Sequence, residues 1–219
     1  MHASIGRSAF LELGFRPLYL GGCAWAALSI ALWVFVPQGI TGALGGVAWH
    51  AHEVLWGFVG TIAVGFLLTA GSNWTGVTTL AGPPLGLLAA AWLAARVAFL
   101  VPGTAAFVAA SLCELAFYGG AAVALGRAIY RTRNRRNYGV PLLAAGLGIA
   151  DALYLASAHA GDYARLMQHF AAGLLCMATI ALVIARRVIP FFAMRAVTGL
   201  VIPMHTRSGQ WQVGAAAAA

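Results

Sequence analysis

The sequence predicts an all-α fold, a polytopic bundle of about six transmembrane helices with both termini on the cytoplasmic side. Composition is the first observation behind this: of 219 residues, 62% are hydrophobic and 8% charged, whereas a soluble domain carries roughly 25% charged residues. Such a chain lacks the polar surface needed to face water. The second is length, because six apolar runs approach the roughly 20 residues that cross a hydrocarbon core of about 30 Å as a helix. The third is charge placement. The 13 basic residues are all arginine, against 5 acidic residues. In a soluble chain that surplus would point to nucleic acid, but here its distribution sets topology.

The first run, 18–36, follows Arg7 and Arg16. It exceeds the roughly 7–15 residues of a signal-peptide core, so it reads as a retained span closed by Pro37-Gln38-Gly39. The second, 54–70, is opened by Trp49-His50-Ala51-His52-Glu53. The third, 85–101, lies between the breakers Gly82-Pro83-Pro84 and Pro102-Gly103. The fourth and fifth, 105–125 and 140–158, are separated by a polar arginine-rich loop, and the sixth is 170–188. Residues 1–199 thus form one transmembrane domain, with 200–219 a low-complexity tail. Cys23, Cys113 and Cys176 fall in separate apolar runs without CxxC spacing and read as small buried hydrophobes.

Cytoplasmic loops are enriched in arginine. With the N-terminus inside, the inner segments collect Arg7, Arg16, Arg127, Arg131, Arg133, Arg135, Arg136, Arg186, Arg187, Arg195 and Arg207, leaving Arg165 outside and Arg96 within a span. The loop around Arg131–Arg136 reads first as this topogenic signal, with an anionic-lipid or partner patch as its alternative.

The same topology sorts the histidines. His50 and His52 open the second span, His159 closes the fifth and His169 opens the sixth, all toward one face; His2 and His205 lie in the tails. Imidazole ligates haem iron, copper and zinc alike, so these four and Glu53 are candidate cofactor-binding residues, with His50 and His52 as metal ligands. Two residues apart on a helix, His50 and His52 point about 200° from each other; one ligates while the other orients. Glu53 suits an acceptor that fixes a histidine tautomer, or an anion near a helix N-terminus. The plain alternative is that amphipathic rings simply favour the membrane interface.

Arg96, Glu114 and Asp151 fall inside spans, where an unpaired charge costs several kcal/mol. They should pair with one another, near Tyr118 and Tyr154, as a proton relay, a cofactor-propionate contact or a structural ion pair. Gly57, Gly60 and Gly65 along the second span leave space for a neighbouring helix or a flat cofactor.

Taken together, Phe15-Arg16-Pro17, Trp49-His50-Ala51-His52-Glu53, the stretch from Gly65 through Asn73-Trp74-Thr75-Gly76, and Arg187-Val188-Ile189-Pro190-Phe191-Phe192 resemble the NnrS family of bacterial membrane proteins. The resemblance implies a multi-pass protein of the bacterial inner membrane that contains haem and copper. It also implies a link to nitric oxide metabolism, denitrification and protection against nitrosative stress. It places His50, His52 and Glu53 on the family's histidine motif, and Asn73, Trp74, Arg187 and Pro190 on family positions without an assigned role. Family members are about twice this length, so the similarity is expected to cover their N-terminal half over about 8–199. A homodimer or another membrane subunit would then supply the second half. Two other function classes stay open: a membrane electron carrier with bis-histidine haem, and a transporter or assembly protein without a redox centre that uses the intramembrane charges. No motif of a soluble hydrolase, P-loop enzyme or zincin is present, and whether the chain catalyses a reaction is left open.

Overall fold

The computed structural model describes residues 9–40, 44–202, 211 and 214–215. His2, Arg7, His205, Arg207 and most of the 200–219 segment lie outside the described residues. Six helices are long and apolar enough to cross a membrane: α1 (Phe15–Phe35), α2 (Gly46–Thr75), α3 (Pro83–Leu100), α4 (Thr104–Arg131), α5 (Gly139–Ala160) and α6 (Tyr163–Ala196). There is no strand among the described residues. These are the six expected spans, each longer or shifted by a few residues, because helices run on past the hydrocarbon where arginines and histidines meet water.

The turns follow from local chemistry. Gly76, at φ 69°, caps α2 in the left-handed region and donates its N–H to the Ser72 carbonyl at 2.9 Å, a C-terminal stop that glycine adopts without strain. Proline occupies the first turn of α3, where its missing N–H costs nothing. The sixth span departs most from expectation. Pro190 reads in sequence as the end of the helix, yet α6 continues through it to Ala196. A proline inside a helix gives up one hydrogen bond, which a membrane helix tolerates when neighbours re-satisfy the backbone.

α2 lies at the centre, against α1, α4 and α6, while α3 packs on α4 and α5 bridges α4 and α6. Burial follows this arrangement. In α2, 67% of the spanning stretch is buried, against 17% in α6, whose outer face carries Leu174, Leu175, Leu182 and Ile189 exposed as on a lipid-facing helix. Cys23 is likewise exposed on α1 rather than buried, and Cys113 and Cys176 are half-buried.

Within α2 the segment Glu53–Gly60 is a π-helix. The wider turn withdraws carbonyls from the regular ladder, a feature that recurs at functional sites. Here side chains take them up: the Trp56 carbonyl accepts from the Tyr118 hydroxyl at 2.7 Å, and the Gly57 carbonyl accepts from Trp92 Nε1 at 3.1 Å.

Candidate metal centre

Three helices bring ionisable side chains from one end of the bundle to its interior. Glu53 on α2, Glu114 on α4 and Asp151 on α5 sit seven, ten and nine residues from the ends Gly46, Thr104 and Ala160, roughly 10–15 Å deep at 1.5 Å per residue. α3 adds Arg96. Together with His52, all of these are fully buried.

Glu53 is the hub. Its Oε2 accepts from Arg96 Nη1 at 2.7 Å and from Trp25 Nε1 at 2.5 Å, while Oε1 lies 3.0 Å from His52 Nδ1. The second guanidinium nitrogen of Arg96 is ion-paired with Glu114. The other ring nitrogen of His52, Nε2, lies 3.0 Å from Asp151 Oδ1. One chain therefore runs Asp151, His52, Glu53, Arg96, Glu114. Arg96 pairs with Glu114 as the sequence suggests, but its second partner is Glu53 rather than Asp151, which goes to His52. Tyr118 and Tyr154 stand beside the chain and give their hydroxyls to the carbonyls of Trp56 and Ala48.

The charges do not close. If all were ionised, three carboxylates against one guanidinium would leave −3 + 1 = −2 with neutral imidazole, in an interior where uncompensated charge is costly, so a proton or a cation has to be taken up. The proton count says the same. A neutral imidazole has one N–H, yet His52 meets a carboxylate at both nitrogens, so one contact needs an added proton or a cation. Moreover, Asp151 Oδ2 and Glu114 Oε1 have no hydrogen-bond partner among the described residues. His52, Glu114 and Asp151 offer ligand atoms all within 4.8 Å of one another, and Glu53 on Nδ1 is the outer partner that orients a ligating histidine.

The donor set of one imidazole and two carboxylates suits a divalent ion such as zinc, manganese, iron or oxidised copper, and not the soft cuprous ion. A haem does not fit at His52. Phe99, Trp56 and Tyr154 surround the ring with centroids at 4.9, 5.5 and 6.0 Å and leave no room for a macrocycle, whereas a single ion needs none.

The two motif histidines part company as their helical spacing requires. His52 enters the core, while His50 is half-buried and stacks on Trp33 of α1 at 4.0 Å, its Nδ1 without a hydrogen-bond partner among the described residues. His159 stacks on Phe107 at 5.5 Å, and His169 Nδ1 lies 2.9 Å from Ser157 Oγ. These three histidines stand apart from the cluster. What sequence reasoning missed is the service given by Trp25 and by the π-helix; only the glycines hinted at it. Their space goes to side chains, not to a flat cofactor. A Cβ on Gly57 would lie 2.5 Å from Glu53 Oε2 and overlap Arg96 Nη1, and one on Gly60 would overlap the Tyr118 hydroxyl. Of the three, only Gly65 would meet the backbone of a neighbouring helix, at Phe15 Cα of α1, beside Leu18 and Tyr19. Gly60→Ala is expected to lower stability by about 1–3 kcal/mol, the usual cost of overpacking. Detergent unfolding checks this, and an unchanged midpoint would mean that Tyr118 moves freely.

At the other end of α2, Asn73 is exposed and Trp74 is half-buried. Arg187 of α6 lies over the Trp74 ring at 4.5 Å, and Asn134 Nδ2 donates to the Trp74 carbonyl at 2.8 Å. The distant family-like segments thus meet in space.

No curated protein and no solved structure matches the chain. The family match, by contrast, runs on through 200–219, the segment that the sequence set apart as a tail. The model of the NnrS protein family covers residues 9–219, nearly the entire length, and this multi-pass membrane protein belongs to the NnrS family.

Proposed function

We propose that this protein holds a divalent metal ion inside the bundle, through His52, Glu114 and Asp151, and serves nitric oxide metabolism and resistance to nitrosative stress in the bacterial inner membrane. The observation that carries the metal reading is that His52, Glu114 and Asp151 offer ligand atoms within 4.8 Å of one another, beside two buried carboxylate oxygens without a hydrogen-bond partner among the described residues. A divalent ion there would take up those oxygens and supply Lewis acidity where a small ligand could bind. Glu53 holds the ligand histidine in register, and Arg96 bridges Glu53 and Glu114. The biological setting rests on family membership. The copper of the family fits this donor set in its divalent form. Its haem is left to the half-buried His50 or to residues of a second chain.

Metal analysis and optical spectra of the purified 219-residue protein, before and after exposure to nitric oxide, test the reading. About one divalent ion per chain and a spectral change with the gas are expected. A metal-free, colourless protein would sink the proposal. One observation favours a second reading, a proton-translocating membrane protein without a redox centre: Asp151, His52 and Glu53 form an unbroken run of titratable groups, and Arg96 ends it. In that case Asp151→Asn abolishes activity in cells although the protein carries no metal.

The arginine count supports the proposal that both termini lie on the cytoplasmic side. A reporter fused after Asn137 is expected to behave as cytoplasmic, and a periplasmic signal there would reverse the topology.

A further inference from the structure

The end of the bundle opposite the histidines carries a cavity of about 360 Å³, bounded by Trp74 of α2, Arg136 and Asn137 of the α4–α5 connection, and Arg187, Phe191 and Met194 of α6. The metal centre makes no use of it. Three features define its chemistry.

The first is positive charge without an answer. All five carboxylates of the chain are paired elsewhere: Glu12 with Arg16, Asp162 with Arg165, and Glu53, Glu114 and Asp151 inside the bundle. Arg136 and Arg187 at the cavity, with Arg131, Arg133, Arg135 and Arg186 close to them in sequence, have no acidic side chain left to meet. Arg187 is also held in place, its guanidinium over Trp74 and its Nη2 donating to the Arg136 carbonyl at 3.3 Å. A topogenic arginine has no need of such fixation.

The second is a buried acceptor. Asn137 is 3% exposed, and its Oδ1 has no hydrogen-bond partner among the described residues. The occupant should therefore bring a donor as well as an anion.

The third is the wall. Phe191 and Met194 are 48% and 38% exposed, one and two turns beyond Arg187 toward the C-terminal end of α6, where they form an apolar rim at the membrane surface. Paired arginines favour phosphate geometry, and this level of the helix is where headgroups lie.

We propose that the cavity binds the headgroup of an anionic phospholipid. Its phosphodiester sits between Arg136 and Arg187, a headgroup hydroxyl donates to Asn137 Oδ1, Phe191 and Met194 cover its outer side, and its acyl chains return to the bilayer on the other side of Arg187. This gives the family-motif residues Trp74, Arg187 and Pro190 a common purpose: Trp74 fixes the arginine, and Pro190 stands between Arg187 and the apolar wall.

The test is native mass spectrometry of the full chain taken from mixed phosphatidylglycerol and phosphatidylcholine bilayers. Phosphatidylglycerol is expected to stay bound in preference. Arg187→Gln and Arg136→Gln should each lower retention about tenfold or more, the loss of a direct charge-assisted contact to phosphate. Arg136 is exposed, so its replacement leaves the packing untouched. Arg131→Gln, which removes the same charge outside the cavity, should cost clearly less, no more than a general surface attraction. Asn137→Ala should erase the preference for phosphatidylglycerol over phosphatidic acid, whose headgroup has no glycerol hydroxyls. Equal retention of phosphatidylcholine, undiminished retention in both cavity-arginine variants, or an equal loss in Arg131→Gln would overturn the proposal. Displacement of the lipid by millimolar inorganic phosphate would overturn the lipid assignment in favour of a free anion.

Discussion

Arg96→Met is expected to destabilise the bundle by about 3–5 kcal/mol, the cost of leaving partners of a buried ion pair unanswered. The side chain is 0% exposed, bridges Glu53 and Glu114, and lies over the Phe99 ring at 5.4 Å. Methionine fills much of the volume but removes the one positive charge among three carboxylates. Hydrophobic loss is therefore small, and the electrostatic term decides. The prediction has a built-in control: in the triple variant Arg96→Met, Glu53→Gln, Glu114→Gln the stranded charges are gone, and most of the stability should return. Chemical unfolding in detergent reads both. A single variant that loses less than about 1 kcal/mol would mean that water or lipid headgroups reach the cluster.

His52→Ala is expected to reduce bound metal by more than tenfold, whereas His50→Ala leaves it nearly unchanged. The contrast rests on position, since the two residues share a motif yet only His52 lies within ligand distance of Glu114 and Asp151. Glu53→Gln should fall between them, with an affinity loss of about 10- to 100-fold, as is usual when the partner that orients a ligating histidine is removed. Elemental analysis of the three variants, each with helicity confirmed by circular dichroism, reads the order. If His50→Ala lost its metal and His52→Ala kept it, the site would have to be moved toward α1.

Much of this was legible in the sequence. Apolar runs disclose the spans because a bilayer punishes any interruption, and the cost of isolated charge was enough to unite Arg96 with Glu114. Glu53 could be read as the acceptor beside a histidine. Helical spacing said that His50 and His52 diverge, but not which faces the core. That depends on the side of α2 turned to α4 and α5, which Gly57, Gly60 and the bulk of Trp56 decide only once neighbours are placed. The π-helix was invisible, since nothing in its composition distinguishes a wide turn from a regular one in a glycine-containing apolar segment. Pro190 misled for a related reason: its local rule is strong in water, and the membrane relaxes it.

The short connection between α3 and α4 bears on how the protein is made. Only residues 101–103 separate Leu100 from Thr104, and each helix carries one member of the Arg96–Glu114 pair. Released singly from the translocation channel, either helix would bring a naked charge into lipid. Delivered together as a hairpin, they arrive already neutralised. A long spacer inserted at Gly103 is therefore expected to lower the share of chains in which both helices insert, and unchanged insertion would mean that each helix enters the bilayer with its charge unpaired.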